Sequence, residues 1–391
     1  ALYALGPAEP QLADYVRPFV GTQGEGNTFP GASAPFGMMQ LGPDTEKELW
    51  ETASGYEYSD SSIIGFSLTH LSGTGIPDLG DILFVPGVGT PKFIPGSKAH
   101  PDSGYRSPYS HEEEAASPGY YRVKLRNSGV TVELAAADRS GIMRFTYPAT
   151  DSAYVLVDLS HVLRWNVVWS NVRVENDSTI TGFHLVNGWA KERYVYFAAR
   201  FSRPFDDYGI VKDGKPVRYD GYRFRSRSET TGKSVQFRAS YATRAGEAIL
   251  VKVGISATSA AAAMRNLDAE IPHWSFERVR AETREKWNRE LAKIEIEGSQ
   301  AEKETFYTSM YHAFLAPILY QDVDGGYRGL DQNVHRAEGF TNYAIFSLWD
   351  TYRATHPLFA LVQAERDADM VSSMLAHYDQ SVERLLPVWS L

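Results

Sequence analysis

The sequence contains no cysteine, which excludes a disulfide framework and any chemistry that needs a thiolate. This absence fits an exported bacterial enzyme and a cytosolic one equally well. No apolar run approaches the roughly 20 residues that a membrane-spanning helix needs, and no signal segment stands at the front. The chain opens at Ala1 rather than at Met, which is consistent with a removed leader or a trimmed chain. We therefore predict that the protein has no membrane span and is exported to the periplasm, the cell surface or the medium.

Positive charge is also scarce, with 39 Lys and Arg against 48 Asp and Glu and a net charge of −9. The basic residues are scattered, so the electrostatic footprint of a nucleic-acid-binding surface is missing. Aromatic residues are plentiful by contrast, and include 23 Tyr and 8 Trp. Both side chains combine a flat apolar face with a polar edge. The composition thus excludes nucleic acid as a partner and favours contact with sugars or polyols.

The segment at residues 50–81, WETASGYEYSDSSIIGFSLTHLSGTGIPDLGD, follows neither the helical nor the strand period. Five glycines interrupt it, at Gly55, Gly65, Gly73, Gly75 and Gly80. Glycine allows tight turns and close approach of a ligand to the backbone, and the neighbouring aromatic residues offer flat faces. This segment is more typical of a binding site than of a core.

With 391 residues the chain is longer than one hydrophobic core usually serves, so two domains are expected. Short strands with alternating apolar and polar residues are predicted at 121–126, 130–134, 143–147, 154–159, 179–183, 194–201, 234–239 and 249–255. The first two form a predicted hairpin across the turn at 127–129. Many strands without intervening helices indicate an antiparallel β-sandwich, which we assign to residues 1–265.

Helical periodicity begins after the sandwich. Phe276, Val279, Thr283, Trp287 and Leu291 recur at helical spacing and predict an amphipathic helix within a linker at residues 266–299. A short strand is predicted around residues 294–297. A second helix is expected to open near residue 301, and a third to begin at the THP sequence of residues 355–357 and to run through residue 374. Residues 300–391 are therefore predicted to form a helical domain.

The chain stops at Leu391 inside the apolar sequence LLPVWSL. Exposed polar residues usually close a domain, so we expect the chain to be the front part of a longer polypeptide. The remaining part of that polypeptide is then a predicted partner.

Several polar residues are candidates for a site. Ser347 and Asp350 have the spacing of a capping box, and Arg353 is placed to pair with Asp350 one turn later. A structural role for Asp350 and a role as an acceptor for sugar hydroxyls, beside Trp349, both remain open. Trp50 is either a core residue or an exposed sugar platform. His70 is expected to be a loop histidine whose hydrogen bonds are satisfied.

Metal binding has only weak sequence support. Asp78 and Asp81 suit a metal site and a plain turn equally well, since Pro77 and Gly80 accompany them. Asp322, Asp324 and Asp331 resemble a calcium loop loosely, without the glycine and glutamate offsets of an EF-hand. A glycosidase needs two facing carboxyl groups, and spacing alone identifies no such pair.

Eight sequence blocks together resemble glycoside hydrolase family 92. They are YVRPFVGT at residues 15–22, NTFPGA at 27–32, PFGM at 35–38, SGY at 54–56, GFS at 65–67, THLSGTG at 69–75, GD at 80–81 and FSLWDTYRATHP at 346–357. The resemblance implies a calcium-dependent exo-acting α-mannosidase, with an N-terminal β-sandwich, a C-terminal (α/α)6 barrel and the site between them. It also implies inversion, with the general acid and general base roughly 6.5–9.5 Å apart.

The resemblance also implies roles for particular residues. Trp50 matches a tryptophan that contacts sugar, Asp350 an aspartate that hydrogen-bonds the terminal mannose, and Arg353 and Trp389 are further substrate-binding candidates. Glu57 stands where many members have His, which bears on the leaving group. The acid, the base and most calcium ligands of the family lie in the later barrel, beyond Leu391, so none is named in this chain.

Three functions are therefore weighed for the chain. The first is the N-terminal part of an exo-α-mannosidase that acts on N-glycans or mannans, with mannose-containing glycans as partners and Ca²⁺ as cofactor. The second is a non-catalytic mannoside-binding fragment, which predicts saturable sugar binding without hydrolysis. The third keeps the fold but acts on another glycoside.

Overall fold

The computed structural model describes residues 10–217 and 228–386. Within this part of the chain, two antiparallel sheets face each other across a large apolar core. The eight-stranded sheet has the spatial order Ala32–Ser33, Gln40–Asp44, Gly65–Ser67, Leu83–Val88, Thr150–Asp158, Val235–Thr243, Asp207–Lys212 and Lys215–Pro216. The nine-stranded sheet has the order Glu229–Gly232, Asn166–Asn176, Thr179–Asn187, Arg193–Phe201, Glu247–Ser256, Ser140–Tyr147, Thr131–Ala136, Tyr120–Lys124 and Ala115–Ser117. The predicted β-sandwich is confirmed.

Alternation along the strands explains the sandwich. In the hairpin formed by Tyr120–Lys124 and Thr131–Ala136, Tyr121 pairs with Leu134 and Val123 with Val132, and all four side chains are buried. All eight predicted strands lie on observed strands. Strand Asn166–Asn176 was not predicted, because it is irregular: its register with the neighbouring strand shifts between Val167 and Trp169 and again between Val174 and Asn176.

Six α-helices follow in the described part of the chain: α1 (Ala260–Glu270), α2 (Phe276–Leu291), α3 (Gln300–Ala313), α4 (Leu348–Thr351), α5 (Thr355–Val362) and α6 (Ala364–Gln380). The five residues that predicted α2 are all buried. Helix α3 opens with a capping box between Ser299 and Glu302. Helix α1 was not predicted, and it contains residue 265, where the sandwich domain was expected to end. None of the described helices combines the length and apolar character that crossing a bilayer requires.

Short elements complete the described chain. Two-residue and three-residue strands pair as Ser62–Ile63 with Ser107–Pro108, Ile318–Leu319 with Tyr343–Ala344, and Gly326–Arg328 with Val334–Arg336. Short 3₁₀ turns occur at Leu12–Tyr15, Gly24–Gly26, Trp50–Thr52, Pro101–Ser103 and His111–Glu113.

Two predictions in the helical part were wrong. Residues 294–297 form no strand, because Tyr307 takes the place of a partner strand: its hydroxyl accepts from Ile296 N and donates to Ile294 O, both at 3.4 Å. The single helix predicted from Thr355 is two helices that meet at Gln363. This residue leaves the helical conformation, with φ −135°, and its side chain bonds to Glu290 and Lys293 instead.

A second core joins the N-terminal segment to the helices. Ala13, Tyr15, Val16, Phe29 and Phe36 pack with apolar residues of α2, α3, α5 and α6. Phe36 N also donates to Phe314 O at 2.7 Å. The front of the sequence therefore connects the sandwich to the helical part, and loops of both parts meet around the candidate site.

Candidate functional site

Trp50 opens a short 3₁₀ turn and remains 46% exposed, which agrees with a platform rather than a core residue. The guanidinium carbon of Arg164 lies 5.1 Å from the centroid of its ring. The chain returns from this turn through Gly55, at φ +82°, where a Cβ would lie 2.6 Å from the carboxylate of Asp44. Only glycine fits this close approach, so the sequence confines the turn to its present path.

A series of contacts leads from Trp50 to Asp350. Next to Arg164, the indole of Trp165 donates to Pro77 O at 2.8 Å. The following Asp78 accepts the backbone N–H of Trp189 at 2.9 Å, and the ring of Trp189 meets that of Trp349 edge to face at 6.4 Å. We call the four side chains Trp50, Trp165, Trp189 and Trp349 the tryptophan row. It runs from the sandwich to the start of α4, and Trp349 is followed directly by Asp350.

Asp350 is exposed, and its carboxylate is held by a neighbour rather than used as a cap. The Ser347 hydroxyl donates to Asp350 Oδ2 at 2.6 Å, and Ser347 itself has φ +45°, so its side chain does not cap α4. The predicted capping box is therefore wrong, because the two side chains bond each other. Within residues 10–217 and 228–386, only Oδ2 of Asp350 accepts a hydrogen bond, so Oδ1 can accept one from a ligand.

The remaining predicted residues differ in their surroundings. Arg353 does not pair with Asp350; its Nε donates to the Tyr352 hydroxyl at 2.7 Å, so the predicted ion pair is wrong. Trp389 lies outside the described residues. The Glu57 carboxylate accepts from the Ser59 hydroxyl at 3.1 Å and is partly buried.

Two buried charged clusters lie behind the row. In the first, Asp44 accepts from His70 at 2.9 Å and from His161 at 2.9 Å. His70 also bonds to Gln40 O at 2.7 Å and stacks on Phe29, with ring centroids 4.8 Å apart. The expectation of a satisfied histidine is confirmed. The Asp44 carboxylate and the Gln40 carbonyl are both acceptors, and the Ser67 hydroxyl lies 3.3 Å from the ring nitrogen that faces Asp44.

The second cluster contains Asp78, Asp81, His184 and Arg193. Arg193 donates to Asp81 in a short ion pair and to Asp78 at 3.1 Å. His184 bonds to Asp81 at 2.8 Å and to the carbonyl of Leu159 at 3.0 Å. Two carboxylates thus face the guanidinium of Arg193 and the imidazole of His184. Asp78 also binds the backbone of Trp189, so the cluster supports the tryptophan row directly.

These pairings shift the pKa of both central carboxyl groups. Burial by itself raises the pKa of Asp44, but the charge of His70 and the hydrogen bonds from both histidines outweigh it and lower the pKa to about 2. For Asp81, burial is likewise outweighed by the charge of Arg193 and by His184, and the pKa is lowered. Both groups are consequently ionised at neutral pH.

The Asp44 shift predicts acid sensitivity. A carboxyl group with a folded pKa of about 2 and an ordinary value of 3.8 stabilises the fold above pH 3.8. That contribution, about 2 kcal/mol, is lost as the pH falls from about 4 to 2. We expect the difference in the free energy of unfolding between wild type and Asp44→Asn to shrink over this interval, as measured by urea denaturation. A difference that stays constant with pH would contradict the assignment.

The aspartates that were metal candidates are engaged by other partners among the described residues. Asp78 and Asp81 were one of the candidate metal sites. Both carboxylates pair with Arg193, and Asp78 also accepts from a backbone N–H and Asp81 from His184. Asp322 accepts from Ser256, Thr258 and Asn266, and the two later aspartates are paired with Arg265 and with His335; these three do not converge on one point. In the part of the chain that the structure describes, no group of three or more His, Asp or Glu could hold a metal ion.

The sequence analysis singled out Trp50 and Trp349, at the two ends of the tryptophan row. It missed Trp165 and Trp189 between them. Arg164, Trp165, Trp189, Arg193 and His184 were not singled out. A usable signal was present: RWN at 164–166 and NGW at 187–189 place a tryptophan beside a strand end. Chemically, the row offers flat faces for sugar rings and, at Asp350, an acceptor for hydroxyl groups.

Comparison with known proteins identifies the family. Residues 15–256 match the model of the glycosyl hydrolase family 92 N-terminal domain, and residues 262–391 match the family 92 catalytic domain. A solved family GH92 α-mannosidase from Bacteroides thetaiotaomicron is 53% identical, with a TM-score of 0.96, over 98% of this chain and 51% of that one. An inverting mannosidase of family GH92 from the same species is 27% identical, with a TM-score of 0.84, over 98% of this chain and 50% of that one.

A curated relative shows a similar identity over a smaller part of the chain. It is an uncharacterized secreted glycosidase of Arthroderma benhamiae, 27% identical over 341 residues, which cover 80% of this chain and 42% of the relative. The chain spans about half the length of the relatives it matches. The two family models together extend from residue 15 to residue 391, and the chain belongs to glycoside hydrolase family 92.

Proposed function

We propose that this chain is the N-terminal half of an exo-acting α-mannosidase, which releases terminal α-mannose from N-glycans or mannans with inversion. The observation that carries the proposal is the contact between Trp189 of the sandwich and Trp349, which brings Asp350 to the exposed end of the tryptophan row. The 53% identical family GH92 enzyme is an α-mannosidase, and it has also been solved in complex with mannoimidazole. The 27% identical enzyme is an inverting mannosidase.

The described residues serve sugar binding in this proposal. The Asp350 carboxylate accepts hydrogen bonds from hydroxyl groups of the terminal mannose, and Trp50 provides a flat apolar face. Arg353 and Trp389 are further contacts. Inverting hydrolysis also needs a general acid for the leaving oxygen and a general base for water. We place both beyond Leu391, in the rest of the polypeptide.

The helical part supports a larger polypeptide. Leu361, Val371, Leu375 and Val382 of α5, α6 and the following turn are 83%, 50%, 55% and 96% exposed. Large apolar side chains exposed on neighbouring helices are typical of a surface that another element covers. We propose that a further segment of the same polypeptide packs there and completes the (α/α)6 barrel. The secreted relative supports export.

We include Ca²⁺ in the proposal as a cofactor. Its ligands are then supplied by residues outside the described part of the chain. We expect a chelator to abolish mannose release by the full-length polypeptide, and added Ca²⁺ to restore it. The midpoint of thermal unfolding of the present chain should not change with chelator, because its described residues supply no ligand set. Full activity in the chelator would exclude a calcium requirement.

The proposal is tested by incubating the full-length polypeptide with α-linked mannobioses and following the products by NMR. We expect free mannose that appears first as the β anomer, since inversion reverses the α configuration. A panel of aryl glycosides separates this result from action on another sugar. Saturable mannoside binding without any release would instead establish a binding module.

A further inference from the structure

Arg164 has a backbone conformation that arginine seldom adopts, with φ +62°. The left-handed region costs a residue with a side chain roughly 1–2 kcal/mol. Such a conformation persists only where the surrounding contacts determine it, and these positions are concentrated at functional sites. The contacts that hold Arg164 in this conformation therefore indicate its role.

The neighbours of Arg164 are fixed independently of Trp50. Leu163 is buried, its N–H donates to Leu79 O at 2.9 Å, and a Cβ on Gly80 would lie 2.5 Å from its side chain. On the other side, the Trp165 indole donates to Pro77 O at 2.8 Å. Arg164 thus projects from a segment that is secured on both sides to the turn at residues 77–80.

From this anchored position, Arg164 contacts the turn that carries Trp50 in three ways. Its backbone N–H donates to Lys47 O at 2.5 Å, and its guanidinium donates to Glu48 O at 3.0 Å. The same guanidinium lies over the Trp50 ring, 5.1 Å from the centroid. The guanidinium of arginine is planar and carries five donors in a fixed fork, so it can lie over a ring and donate to a carbonyl with less loss of freedom than the flexible ammonium of lysine.

A guanidinium over an indole occupies one of its two faces. Trp50 is nevertheless 46% exposed, so ring surface remains for a ligand. An exposed tryptophan without such a contact would sample several rotamers and lose entropy on binding sugar. Fixing the ring before binding avoids that loss.

We propose that Arg164 is a positioning residue, which fixes the orientation of Trp50 and leaves one ring face for the mannoside. The inference rests on the proposed role of Trp50 in sugar binding. It predicts that Arg164 acts on the substrate only through Trp50.

A double-mutant cycle in the full-length polypeptide tests this prediction with Arg164→Gly, Trp50→Ala and the double variant. Glycine removes the guanidinium and relieves the backbone conformation, so the unfolding midpoint should stay near that of wild type. We expect Arg164→Gly to lower kcat/KM roughly 3- to 10-fold, mainly through KM. In the Trp50→Ala background the same change should have no further effect. Arg164→Lys should retain part of the activity.

The matched control is Arg280→Ala, which removes an arginine 3.8 Å above the ring of Tyr120, away from the tryptophan row. It should leave kcat/KM unchanged. Additive effects of Arg164→Gly and Trp50→Ala would overturn the inference, because Arg164 would then act on the substrate independently.

A second readout separates this inference from the proposed function. Acrylamide quenches the fluorescence of accessible tryptophans. The quenching measured in wild type, minus the quenching measured in Trp50→Phe, therefore reports how accessible Trp50 is. We expect this difference to increase in the Arg164→Gly background. Unchanged quenching would overturn the positioning role whatever the activity. Quenching could also increase in the Arg164→Gly background while Trp50→Ala keeps full activity. That result would refute the sugar-binding role of Trp50 and leave the positioning contact in place.

Discussion

Replacement of Arg193 by alanine is expected to lower the free energy of unfolding by about 3–5 kcal/mol. Arg193 is 5% exposed and lies between Asp78 and Asp81, both fully buried. Its removal leaves two buried carboxylates without the guanidinium that pairs with both of them. Urea denaturation of the purified protein measures the loss, and the variant should also show weaker near-UV circular dichroism because Asp78 no longer fixes the backbone of Trp189.

The matched control is Arg200→Ala, since Arg200 forms an ion pair with Asp268 on the surface. Its side chain is 33% exposed and that of Asp268 is 49% exposed. Exposed pairs of this kind contribute about 0–1 kcal/mol. Equal losses for the two variants would contradict the assignment of Arg193 to buried ion pairs with Asp78 and Asp81.

Replacement of Asp350 by alanine is expected to lower kcat/KM of the full-length polypeptide for α-mannobiose roughly 10- to 150-fold. A hydrogen bond to a charged group contributes about 1.5–3 kcal/mol, and each 1.4 kcal/mol is a factor of ten. The thermal midpoint should hardly change, because Asp350 is exposed and its described partner is only the Ser347 hydroxyl. Steady-state kinetics with equally folded variants measures the effect.

Two controls define the role of Asp350. Ser347→Ala removes the neighbour that orients the carboxylate but keeps the acceptor, so a smaller loss of roughly 2- to 10-fold is expected. Asp151→Ala removes an exposed carboxylate of the sandwich strand Thr150–Asp158 and should have no effect. Activity of Asp350→Ala within twofold of wild type would show that the aspartate is not a substrate ligand.

The sandwich could be predicted from sequence because its signal is local. Val132 and Leu134 alternate with polar residues, and that alternation determines which face is buried. The same holds for α2, whose buried residues recur every three or four positions. Where a polar side chain overrides the local pattern, the prediction failed, as at Gln363 and at Tyr307.

Most of the site could not be predicted, because its partners are distant in sequence. Asp81 and Arg193 are 112 residues apart, and Asp44 and His161 are 117 apart. No spacing rule connects such pairs before the fold is known. Trp50 and Asp350 are candidates from their residue pattern and from resemblance to family motifs, whereas Arg164 became recognisable only from its φ angle and its three contacts.

The N-terminal segment of the second core also sets the order in which the protein can fold. Arg17 N donates to Thr308 Oγ1 at 2.9 Å across 291 residues, and Ala13 N donates to Asn288 Oδ1 at 3.0 Å. During synthesis, Ala13 and Arg17 leave the ribosome long before α2 and α3, so they must wait for these helices before they find their partners. Contacts of such long range close late and slowly. A fragment that ends after the last sandwich strand would expose Tyr15, Phe29 and Phe36 and is expected to aggregate.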